Sequence, residues 1–129
     1  MRLYNDQDCN PNLLSPLTLA FVGDAVYGLL VRERLVLSAE RSANDLHRLS
    51  VDLVRAGAQH NAVLKIIDCL TEKEAEIYKR GRNAHANHLP KNADPAEYHA
   101  ATGLETLFGY LYLDGQNERI RELFNIICE

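Results

Sequence analysis

The chain has no tryptophan and only three cysteines, few glycines and few prolines, and each shortage excludes something. Cys9, Cys69 and Cys128 are widely separated and odd in number, so they form neither a C-x-x-C pair nor a zinc spacing. They read as reduced thiols rather than as a disulfide framework. No low-complexity segment or internal repeat is present. The first residues, Met1 to Asp8, have neither the basic-then-apolar form of a secretion signal nor the Arg/Ser-rich form of a transit peptide, which points to the cytoplasm. The longest apolar stretch, residues 17–31, is too short to span a bilayer comfortably and carries Asp24 in its middle. No alternating strand pattern, Walker loop, dinucleotide fingerprint or Ser-His-Asp set occurs. Acidic residues are missing from residues 77–93, although the net charge of the whole chain is −4.

What remains is an all-α chain of 129 residues, read as a single domain over 1–129 with its core at about 15–128. Ser15-Pro16 places an N-cap before a proline at the first helical position, which predicts a helix over about 16–35. A second begins near Ser42 to Asn44 and carries Leu46, Leu49, Leu53 and Val54 on one stripe. Gly57 marks a break before a third helix over about 58–67. Thr71 and Glu74 fit a capping box. The helix they open fades near Gly81 to Ala86, and a loop broken by Pro90 follows. Asp94-Pro95-Ala96-Glu97 repeats the start signal for a helix ending at Asp114-Gly115. A last amphipathic helix covers about 117–127.

Two carboxylates stand in apolar company. An ionised Asp24 buried among its neighbours costs several kcal/mol unless a cation or hydrogen-bond donors compensate it. Glu105 lies among Leu104, Thr106, Leu107, Phe108 and Gly109 on the fifth helix. Helical spacing aligns Leu17, Ala20, Phe21, Asp24, Tyr27, Gly28 and Val31 on one helix. It aligns Tyr98, Ala101, Thr102, Glu105, Phe108, Gly109 and Tyr112 on the other. Small residues on both (Gly23, Ala25 and Gly28; Ala101, Gly103 and Gly109) allow close packing, which would bring the carboxylates together. Oxygen ligands of that kind suit Mg²⁺. Each carboxylate alone also has an ordinary explanation, such as snorkelling, capping a neighbouring helix or pairing with an arginine.

The acid-free segment holds Lys79, Arg80, Arg82 and Lys91, with Asn83, His85 and His88 among them. Such groups are the usual donors to phosphate and sugar oxygens, so the segment reads as a local phosphate-binding patch on an acidic protein. A solvated helix face is the plain alternative. His85-x-x-His88 lacks further ligands nearby in sequence, and zinc is disfavoured. His47 and His60 read as surface or satisfied side chains.

Phe21-Val22-Gly23-Asp24-Ala25-Val26 resembles the core motif of the ribonuclease III family, and Glu105 within residues 104–113 resembles its second carboxylate helix. Asn44-Asp45-Leu46-His47, Lys79 to Ala84, Pro90-Lys91-Asn92 with Asp94, and Thr102 with Glu105 extend the match over most of the chain. The nearest pattern is the short subfamily called Mini-ribonuclease III, which has no double-stranded RNA-binding domain. The resemblance implies an all-α endonuclease domain that acts as a homodimer on double-stranded RNA. It implies Mg²⁺ held by carboxylates, products with 5′-phosphate and 3′-hydroxyl ends, and a role in maturing 23S ribosomal RNA precursor ends, with a ribosomal protein as a candidate helper. Carried over by residue, Asp24 and Glu105 are the metal ligands and catalytic carboxylates. On this reading Lys79, Arg80, Arg82, Asn83, His85 and Lys91 are expected to position RNA phosphates, and Phe21 with the small residues near it to contact the second subunit. Ala20 and Thr102 stand where larger relatives have carboxylates, and small or hydroxyl residues there fit the short subfamily. A lysine is common at the position of His85, where histidine makes a weaker and pH-dependent contact. The rival readings are an inactive ribonuclease III-like binding module and a helical adaptor without an RNA role.

Overall fold

Local capping chemistry opens most of the helices. In this computed structural model, which describes residues 1–84 and 89–129, the Ser15 hydroxyl accepts a hydrogen bond from the Thr18 N–H (3.2 Å) at the start of α1 (Pro16–Ser38). Ser42 does the same for the Asp45 N–H (3.1 Å) ahead of α2 (Ala43–Val54). After α3 (Ala56–Ile66), the capping box at Thr71 is complete. Glu74 N–H donates to the Thr71 hydroxyl (3.1 Å) and Thr71 N–H donates to the Glu74 carboxylate (2.9 Å), opening α4 (Glu72–Asn83). The Asp94 carboxylate accepts from Ala96 and Glu97 N–H groups at the head of α5 (Pro95–Leu113). Gly115, with φ 77°, turns the chain towards α6 (Asn117–Ile127). Two short 3-10 turns, Pro11–Leu13 and Ile67–Cys69, complete the set, and no strand occurs among the described residues.

Two boundaries differ from expectation. The first helix runs on to Ser38. The break between α2 and α3 falls at Arg55, whose backbone is extended (ψ 157°), and not at Gly57. Gly57 lies inside α3, where a Cβ would meet the Arg55 guanidinium and the Glu97 carboxylate. It is a close-packing position rather than a helix breaker.

Helix α5 is the axis of the molecule. Residues 103–111 are all buried except Glu105, which is half-buried, and Leu104, Leu107, Phe108 and Leu111 have no solvent exposure. A helix apolar on nearly every side must be enclosed, and α1, α3, α4 and α6 pack around it. Tyr27 of α1 meets Phe108 edge-to-face at 5.5 Å and Phe124 of α6 at 5.7 Å. Glu105 is therefore the one carboxylate among the enclosed turns of the central helix.

The α1–α5 crossing is close enough for backbone contact. A Cβ built on Gly23 would stand 1.6 Å from the Glu105 carbonyl oxygen, and one on Gly109 would stand 1.9 Å from the Leu19 carbonyl oxygen. These two glycines carry the contact expected of the small residues. Gly28 and Gly103 do not share in it. A Cβ on Gly28 meets only Arg32 of its own helix, and Gly103 faces Tyr78 on α4. Gly81 of α4 packs in turn on Gly103 and Thr106, which bracket Glu105 within one turn of α5.

Candidate active site

Gly23 precedes Asp24, and its contact lies on the backbone of Glu105 itself. The crossing thus delivers the two carboxyl groups to one place. The Asp24 side chain stands within hydrogen-bonding reach of the Glu105 carboxyl, where its charge opposes ionisation of Glu105. The Glu105 carboxyl is pushed up from 4.5 to about 7. Burial is the main cause, a hydrogen bond from the Gln59 amide works against it, and the charge and hydrogen bond of Asp24 add to the rise. Glu105 is the group that needs a compensating cation at neutral pH.

Asp24 is not the buried charge that its sequence neighbours suggested. It is exposed, as are Phe21 (82 %) and Leu29 (53 %) nearby, while Ala20, Gly23, Tyr27 and Val31 face the core. The stripe aligned by spacing therefore straddles the edge of the core. The reason is that α1 is apolar on two faces. One packs on α5, and the other lines an open groove of about 1220 Å³ whose wall includes Phe21, Val22, Asp24, Ala25, Leu29 and Leu37. Asp24 sits where this groove reaches the α1–α5 crossing.

The two positions that carry carboxylates in larger relatives contribute none here. Ala20 is buried. The Thr102 hydroxyl donates to the Tyr98 carbonyl of its own helix (3.1 Å). Among the described residues, no group of three or more His, Cys, Asp or Glu side chains converges. Two carboxyl groups within reach of each other suit a hard cation such as Mg²⁺, which keeps several waters and takes one or two protein carboxylates.

Sequence reasoning missed Gln59. It is buried on α3, and its Nε2 donates both to the Val54 carbonyl (2.9 Å) and to Glu105 Oε2 (3.2 Å). A lone glutamine in Gln59-His60-Asn61 resembles any polar helix surface, and only the packing of α3 on α5 turns it inward.

The basic residues lie at the C-terminal end of α4 and beyond it. Ile77, Tyr78 and Gly81 bury the inner face, which leaves Lys79, Arg80, Arg82 and Asn83 exposed. Arg82 lies over the Tyr78 ring at 5.8 Å, and its Nε donates to Asn83 Oδ1 (3.3 Å). Lys91 is exposed in the following loop. Because Gly81 packs on Gly103 and Thr106, the end of α4 is anchored beside the Glu105 turn. Two basic residues in the last turn also suit the negative end of the helix dipole. The expected RNA contact of His85, and His88 with it, lies outside the described residues. His47 is exposed and His60 half-buried.

A family model described as the ribonuclease III domain matches residues 17–116. The chain belongs to the ribonuclease III family. Its ribonuclease III domain aligns with relatives named Mini-ribonuclease 3, which places it in that branch. It is 51 % identical over 120 residues to the one from Symbiobacterium thermophilum, covering 93 % of this chain and 92 % of the relative. It is 45 % identical over 113 residues to the one from Thermoanaerobacter sp. (strain X514), covering 88 % and 80 %. A crystal structure of a Fusobacterium nucleatum protein superposes with a TM-score of 0.80 at 33 % identity, covering 90 % of this chain and 93 % of that one. Ribonuclease III enzymes are endoribonucleases, hydrolases that cut RNA within the strand, and they are generally metal-dependent. This chain is such an endoribonuclease.

Proposed function

We propose that this chain cleaves double-stranded RNA in a Mg²⁺-dependent reaction in which Asp24 and Glu105 hold the metal. The single observation that carries this is the convergence of the two carboxyls at the α1–α5 crossing, with Glu105 pushed up to about 7. When bound, Mg²⁺ supplies activation of water and stabilisation of charge at the leaving 3′ oxygen. The protein supplies placement. Glu105 gives up its proton, and the Asp24 and Glu105 carboxylates would hold the cation. Lys79, Arg80, Arg82, Asn83 and Lys91, with His85 in the same segment, donate to RNA phosphates. Cleavage leaves 5′-phosphate and 3′-hydroxyl ends. Contacts to phosphate and 2′-hydroxyl groups read A-form shape, so sequence preference is limited.

The substrate in the cell is the precursor of 23S ribosomal RNA, matured at its ends in the cytoplasm with a ribosomal protein as helper. The working form is a homodimer in which residues 1–129 act as one catalytic unit per subunit. Support for the dimer comes from the open apolar groove along α1, where Phe21 and Leu37 are 82 % and 78 % exposed. Among the described residues no helix is long and apolar enough to cross a membrane, so the groove is not part of a membrane-spanning helix.

The test is cleavage of a 23S precursor stem by purified wild type, Asp24→Asn and Glu105→Gln, with Mg²⁺ and with EDTA. Wild type cuts only with Mg²⁺ and both variants are silent. Equal cleavage by all three sinks the metal-ligand assignment. Binding by wild type without any cleavage makes the chain an RNA-binding module.

A further inference from the structure

Gln59 is 3 % exposed, and its Oε1 is buried without a hydrogen-bond partner among the described residues. An apolar side chain of similar volume would avoid that cost, so the amide calls for a role. Its Nε2 explains what the orphaned oxygen does not. One hydrogen bond satisfies Val54, whose carbonyl belongs to the unpaired last turn of α2 (2.9 Å), and the other reaches Glu105 Oε2 (3.2 Å). Turning the amide over would set Oε1 against a carbonyl and a carboxylate, both acceptors. The orientation is therefore fixed by the two partners it serves.

We propose that Gln59 is a positioning residue for Glu105. Its N–H grips one carboxylate oxygen, fixes the side-chain rotamer, and leaves the second oxygen for the metal. Gln59 thereby sets metal affinity from the α2–α3 corner. The inference rests on the reading of Glu105 as a metal ligand. A half-buried glutamate without this grip must be ordered by the metal itself, which weakens binding; partners of this kind are worth about 10–100-fold in metal affinity.

The test uses the full chain with Gln59→Met, which keeps volume without a donor, and Gln59→Asn, which withdraws the amide by about 1.5 Å. Mn²⁺ binding is measured by electron paramagnetic resonance without RNA, and duplex cleavage is followed across a Mg²⁺ series. Both variants bind Mn²⁺ about 10–100-fold more weakly. Their Mg²⁺ midpoints for cleavage rise by the same factor, saturating Mg²⁺ restores most of kcat, and duplex binding in EDTA is unchanged. A residue needed only for packing lowers the melting temperature and leaves the metal midpoint in place. That outcome in either folded variant overturns the proposal. Glu105→Gln run alongside separates the two layers. If it binds Mn²⁺ and cleaves like wild type, the ligand reading fails and the Gln59 proposal falls with it. If it is silent while the Gln59 variants keep the wild-type midpoint, only the Gln59 proposal falls.

Discussion

Replacing Glu105 by glutamine stabilises the metal-free protein above neutral pH while removing its activity. The carboxyl is pushed up from 4.5 to about 7, so the folded state holds its proton more tightly than the unfolded chain does. The contribution of Glu105 to stability is therefore full below pH 4.5, declines as pH rises through the window to about 7, and is gone above it. The upper bound on the loss is about 3 kcal/mol. Glu105 is only half-buried, and solvent screening reduces this to about 1–2 kcal/mol. Glutamine removes the titration and keeps an acceptor for the Gln59 amide. In EDTA at pH 8, Glu105→Gln then melts roughly 3–8 °C above wild type, and at pH 4.5 the two coincide. Asp24→Asn gives a smaller rise at pH 8, because burial outweighs the Asp24 charge in raising Glu105. Saturating Mg²⁺ narrows the gap by stabilising wild type alone. Calorimetry from pH 4.5 to 8 decides the matter. A difference between Glu105→Gln and wild type that does not change with pH would refute the account.

Other consequences can be checked independently. Arg82→Ala together with Lys91→Ala weakens duplex binding and lowers the slope of log affinity against log salt by about 2, leaving the melting temperature within a degree or so; unchanged affinity in a salt titration excludes the patch. Gly23→Ala drives a methyl into the Glu105 backbone and costs about 1–3 kcal/mol or more, read by urea unfolding, with cleavage lost beyond what unfolding explains. Arg119→Met breaks the bidentate pair with Glu74 (2.9 Å at both nitrogens) and the bond to the Cys69 carbonyl (2.8 Å), costing about 2–4 kcal/mol. Burial tends to raise the Glu74 carboxyl, but hydrogen bonds and charge from Arg119, with those from Thr71, hold it below its ordinary value; wild type therefore loses this contribution as pH falls below about 4.5, and the variant shows a weaker acid transition. Wild type is expected to sediment as a dimer and Phe21→Glu as a monomer at the same concentration; equal sedimentation removes Phe21 from the interface.

Much of this architecture was legible because capping signals are local. Ser15-Pro16, Thr71 with Glu74, and Asp94-Pro95 each fix a helix start through atoms a few residues apart. The close approach of α1 and α5 was legible in the small residues on both, of which Gly23 and Gly109 make the contact. Long-range and unpatterned features were not legible. The break at Arg55 has neither glycine nor proline to mark it, and nearby Gly57 has a packing role instead. The exposure of Asp24 was hidden because α1 carries a second apolar face that the other described residues leave open. Gln59 meets Glu105 across 46 positions of sequence, a separation on which no periodicity bears.

The contact of Gly23 with the Glu105 backbone also bears on how this protein can change over time. Two absent methyl groups, at Gly23 and Gly109, set the separation of α1 and α5, so it depends little on which side chains fill the core. Substitutions at Leu104, Leu107 or Leu111 can drift, costing stability first and carboxylate spacing only later. The spacing of the two carboxylates is thus insulated from ordinary sequence drift. Its vulnerability is concentrated in two glycines that carry no functional group, where even a change to alanine would force the two helices apart.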